Sequence, residues 1–134
     1  MEITRAQNRK IAELAKKFQL KLIVVFGSFA FGKQQKNSDL DIAILGIKDV
    51  SFNEHVELIN EFSLIFNKEV DLTILNKANP LLLYQVSKNP ILLYGDKREL
   101  LKFKLSAFKT YHDYAPYFEM ERKLNKRIIS KYAR

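Results

Sequence analysis

The chain has 134 residues, of which 47% are apolar; it has no cysteine and carries a net charge of +8. That length suits one domain with a real core, the composition argues against disorder, and disulfides and thiolate metal sites are excluded. No apolar run approaches the ~20 residues needed to span a bilayer, and Met1-Glu2-Ile3-Thr4 leads into an amphipathic segment rather than a secretion signal, so a cytoplasmic protein is expected.

The first element is a helix. Thr4 and Gln7 form a capping box, and Ile11, Leu14, Ala15 and Phe18 share one face. The apolar run Leu22 to Phe26 reads as a strand. Gly27-Ser28 then turns the chain into a short helix through about Phe31, followed by a polar loop, Gly32 to Ser38, expected to be mobile. A second strand, Leu40 to Leu45, ends at Gly46. Ser51 with Glu54 caps another helix, with Val56, Ile59, Phe62 and Phe66 inward. Val70 to Leu75 is a third strand. Asn79-Pro80 opens a third helix and Asn89-Pro90 closes it. Ile91-Leu92-Leu93-Tyr94 reads as a short edge strand. After the Gly95-Asp96 turn, Asp96 with Glu99 caps a last helix carrying Leu101, Leu105 and Phe108 on one stripe, which Pro116 should stop or kink. Helices thus alternate with strands, which predicts an α/β fold: a sheet with helices packed on it.

Residues 27 to 41, GSFAFGKQQKNSDLD, carry the chemistry. Strand side chains alternate, so Asp39 and Asp41 share one side while Leu40, Ile42 and Ile44 take the other and enter a core. Two close carboxylates raise each other's pKa unless a cation sits between them, and Mg²⁺ suits them because it takes hard oxygen ligands together with substrate phosphates. Gly27 lets backbone approach a ligand closely, and Ser28 is placed where free N–H groups attract phosphate oxygens. In Glu69 to Leu75, Asp71 and Thr73 face away from Val70, Leu72 and Ile74. If that strand lies beside the first aspartate strand, Asp39, Asp41 and Asp71 converge, enough for two metals roughly 4 Å apart. Taken singly, Ser28 reads as an N-cap and Asp39 as a turn residue. Asp41 and Asp71 resist such readings, because Asp is depleted inside strands. At background usage, a chance Gly-Ser-x10-Asp-x-Asp match in such a chain is roughly one in a thousand, so the combination outweighs its members.

GSFAFG…SDLDIAIL resembles the signature of the nucleotidyltransferase superfamily with the polymerase-beta-like fold, and the short length points to its minimal branch, the MNT proteins. The resemblance covers roughly residues 1 to 95. It implies a small mixed sheet flanked by helices, with residues 96 to 134 as a basic helical extension of the same domain. It also implies that Asp39 and Asp41 bind Mg²⁺, that Asp71 completes the metal site or serves as base, and that Gly27 and Ser28 hold the triphosphate of ATP. The family often carries Arg before the second glycine, where this chain has Phe31; Lys33 offers a substitute charge.

Stand-alone members resemble MntA-type antitoxins, which neutralise HEPN ribonuclease toxins by AMPylating a toxin tyrosine with ATP and Mg²⁺. That is the function the resemblance implies, with a HEPN toxin as partner. Alternatives are an inert antitoxin acting by contact alone, and transfer to RNA or to a small molecule. Charge bears on the RNA reading: residues 1 to 96 balance at +1 and residues 97 to 134 at +7. Such a tail binds an acidic partner or nucleic acid, or is simply a solvated helix face. Tyr111-His112-Asp113-Tyr114 fits a partner surface or a packing patch equally well. His55 is expected in solvent, and neither histidine has a second at zinc-ligand spacing.

Overall fold

The computed structural model describes residues 1–30 and 39–132. The elements run α1 (Arg5–Lys17), β1 (Leu20–Phe26), β2 (Leu40–Gly46), α2 (Phe52–Phe66), β3 (Val70–Ile74), a 3-10 turn (Leu75–Lys77), α3 (Pro80–Ser87), β4 (Ile91–Tyr94) and α4 (Lys97–Tyr132). The four strands form one mixed sheet in the order β3-β2-β1-β4, with β4 at an edge as its sequence suggests. β1 pairs antiparallel with β2 and β4, and β2 pairs parallel with β3.

Local chemistry explains where the helices begin. The Gln7 N–H donates to the Thr4 hydroxyl at 3.1 Å, and the Thr4 N–H donates to the Gln7 side-chain oxygen at 3.0 Å. Ser51 and Glu54 repeat this reciprocal box on α2, and hydrogen bonding to Ser51 holds the Glu54 carboxyl below its ordinary range. Asn79 caps α3, accepting from the Leu82 N–H at 2.9 Å with Pro80 at the first helical position. On α4, Asp96 accepts from the Arg98 N–H at 2.8 Å. The expected box with Glu99 does not close there; Glu99 is drawn instead to Lys21 and Lys102.

Alternation along the strands separates two cores. Ile23, Val25, Leu40, Ile42, Ile44 and Leu72 face α1 and α2. Leu22, Val24 and Ala43 face the other way, with Val86 of α3 and Phe103 and Ala107 of α4. At the far end of β2, Asn76 acts as a side-chain clamp. Its amide oxygen accepts from the Gly46 N–H at 2.8 Å and its amide nitrogen donates to the Gly46 carbonyl at 2.9 Å, as a neighbouring strand would.

Three expectations change. Val56 is exposed, and Leu58 and Phe62 anchor α2 instead. The Leu101, Leu105 and Phe108 stripe points to solvent, while Phe103 and Ala107 face the core. Pro116 does not stop α4, which runs through it as one 36-residue helix. Proline removes one hydrogen bond from the helix interior; Pro116 and His112 are both exposed, so the carbonyl left without that donor lies on the solvent side, where water can satisfy it. Tyr111 packs edge-on against Tyr84 of α3, with ring centroids 3.9 Å apart, so part of the aromatic cluster holds α4 down. His112 is exposed beside Phe108, and His55 is half-buried rather than fully solvated.

Candidate active site

Strand register brings the acidic residues together. Asp41 on β2 stands opposite Asp71 on β3, flanked by the pairs Leu40–Val70 and Ala43–Thr73. In-register neighbours in a sheet point the same way, so Asp41, Asp71 and Thr73 share a face with Ala43. Asp39, two residues before Asp41, lies at the mouth of β2 and is exposed. The Leu40 N–H donates to the Glu69 carbonyl at 2.9 Å, which ties that mouth to the start of β3.

On its other flank β2 pairs with β1, which puts Asp41 opposite Phe26. Gly27 follows at once with φ +73°, a left-handed conformation that glycine adopts without strain. A Cβ there would overlap the Asp41 carboxylate and lie 3.2 Å from its Cγ. The glycine is therefore required twice, by its backbone and by the acid against it. The Ala30 N–H donates to the Gly27 carbonyl at 3.1 Å and closes a turn over Gly27–Ala30 that contains Ser28. This turn takes the place of the expected helix as far as Ala30. Phe31, Lys33 and the Gly32 to Ser38 loop lie outside the described residues.

The electrostatics follow from this placement. Burial pushes the Asp41 carboxyl above its ordinary range, and Asp71 and then Asp39 push it further. Asp41 thus feels both of the other carboxylates. Among the described residues, no three side chains of metal-binding type are drawn tightly enough to grip a single ion as they stand. The donors themselves, all hard carboxylate oxygens, fit a divalent cation such as Mg²⁺.

One neighbour is not evident in the sequence pattern. Lys68, in the connection before β3, places its ammonium 5.2 Å from the centroid of Phe29. Phe29 is buried in the α1/α2 core directly after Ser28, so it anchors the turn and carries a cation to its edge. No periodicity marks Lys68; only its place one residue before Glu69-Val70-Asp71 could have drawn notice.

Residues 9–99 match the family described as Polymerase beta, Nucleotidyltransferase. The chain belongs to this family of nucleotidyl-transferring enzymes. It is similar to the protein adenylyltransferase MntA of Shewanella oneidensis, with 31% identity over 93 residues, or 69% of this chain and 67% of the relative. In solved structures it resembles a chain of a toxin–antitoxin with AMP-PNP, with 28% identity, TM-score 0.75, and coverage of 87% of this chain and 97% of that one. It also resembles a chain of the toxin–antitoxin MntA–HepT, with 25% identity, TM-score 0.71, and coverage of 90% and 98%. Among the described residues no helix is long and apolar enough to cross a membrane.

Proposed function

We propose that this chain is a protein adenylyltransferase antitoxin. It moves AMP from ATP onto a tyrosine hydroxyl of a HEPN-type toxin in the cytoplasm, acting as one domain with its core in residues 1–95 and a helical extension beyond. The observation that carries this reading is the pairing of Asp41 with Asp71 beside a glycine that allows no side chain. The kinship with MntA and the likeness to toxin–antitoxin chains, one of them with an ATP analogue, support the choice of nucleotide and partner.

Gly27 and Ser28 present turn backbone and a hydroxyl to the triphosphate, and Lys68 lends positive charge at the same edge. Asp39 and Asp41, with Asp71, would hold Mg²⁺, in our reading two ions, and the chemistry so supplied is neutralisation of the phosphate charge and of the leaving pyrophosphate. The acceptor oxygen attacks the α-phosphorus in line. The bond to the pyrophosphate oxygen breaks, and Asp71 takes the acceptor's proton. Binding holds the two reactants in that line.

The test incubates the chain and its HEPN partner with α-labelled ATP and Mg²⁺. Label on the partner, lost with Asp39→Asn or Asp41→Asn, is expected. Full neutralisation of the partner by those variants would favour an antitoxin that works by contact alone. The charge of α4 favours one further reading, extension of an RNA end, which would show as tail-dependent RNA lengthening that weakens steeply with salt.

A further inference from the structure

Among the described residues, 119–132 of α4 are all exposed, about 21 Å of helix. Along it Tyr117, Met120, Leu124 and Ile128 recur at intervals of three and four, with relative exposures of 66%, 67%, 56% and 46%. Lys123 and Arg127, one turn apart, border that row on one side, and Glu121 lines the same groove. A helix this length is marginal in water on its own, and Pro116 weakens its link to the anchored half just where it leaves the core. An apolar row held in solvent under those conditions calls for a partner.

Ile129 and Tyr132 are exposed as well and widen the row at its end, so charge rather than width selects the occupant. From Tyr117 to Tyr132 the arm has five Lys or Arg and two Glu. A second copy would therefore bring two net-positive arms together, while an acidic rim on a partner would complement Lys123 and Arg127. The arm also lies outside residues 9–99, the part that matches the enzyme family's model.

We propose that the Tyr117–Met120–Leu124–Ile128 seam docks the acceptor protein, which presents a helix with an apolar strip and an acidic rim. The identity of that acceptor rests on the adenylyl-transfer reading; the seam does not. The full chain is tested by co-expression with a HEPN-type toxin. The double substitution Leu124→Asp/Ile128→Asp should weaken binding at least about thirtyfold. It should leave AMP-PNP affinity within twofold and thermal stability unchanged. Lys123→Glu/Arg127→Glu should slow association and flatten its salt dependence. Unchanged binding by the double variant overturns the proposal while leaving AMP transfer intact as a reading. So does a wild-type chain that does not bind the HEPN protein. Self-association, or binding to phosphatidylserine-containing vesicles, that disappears in the double variant assigns the seam to another occupant and also overturns it. Seam-dependent binding without AMP transfer would sink the transfer reading alone.

Discussion

Asp41 shows how a site can be costly to the fold that carries it. Its raised pKa means that the folded chain holds the proton more tightly than the unfolded chain does. The stability this gives is present below the ordinary carboxylate value of 3.8 and is lost as pH rises through the higher folded value, so at neutral pH the ionised acid is a burden. Asp41→Asn should therefore raise the thermal midpoint at pH 7, with the gain shrinking toward pH 4, while AMP transfer falls by on the order of 100-fold or more. Melting curves at the two pH values check the sign; a midpoint that drops at pH 7 would contradict it. Lys68→Met should raise the KM for ATP roughly tenfold with kcat nearly kept, and Lys68→Arg should restore it. The three aspartates were legible because a period of two, placed against apolar neighbours, puts carboxylates where a strand would otherwise carry hydrophobic residues. Lys68 was not, because a loop and a tertiary contact with Phe29 place it, and neither leaves a repeat in the sequence.

Among the elements, those opened by side-chain caps were read closely. Thr4, Ser51 and Asn79 each accept the backbone N–H three residues on, a bond encoded within four positions. The long helix α4 was read less well, because it carries apolar residues on several faces. Spacing alone cannot say whether Leu101-Leu105-Phe108 or Phe103-Ala107 meets the sheet; the position of α3 and the β1 surface decides it. Two substitutions on neighbouring turns separate the faces. Phe103→Ala should cost about 3 kcal/mol in chemical denaturation, and Leu105→Ala no more than about 0.5 kcal/mol. The reverse order would place the helix the other way round. That β3 lies beside β2, bringing Asp71 to its companions, also could not be read from local pattern, since parallel pairing is a long-range choice.

At the scale of the molecule the charge and the chemistry are segregated. Residues 1–96 are nearly neutral and are joined to a basic helix whose residues 119–132 are exposed. Ending the chain after Phe118 should therefore leave the melting midpoint and AMP-PNP affinity essentially unchanged while impairing transfer to a protein acceptor; a large loss of stability would show that the arm is structural. Sheet register ties the two ends of the core together. Sliding β3 by one residue against β2 would send Asp71 to the opposite surface. The Asn76 amide grips Gly46 about 17 Å from Asp41 and works as an end-stop for that alignment. Asn76→Ala ought then to lower kcat more than ATP affinity, measured in the same assay. On the proposed reading of the site, a latch at the opposite end of the ladder keeps the aspartates aligned, and drift in catalytic rate should track changes there before it tracks changes in the nucleotide's own surroundings.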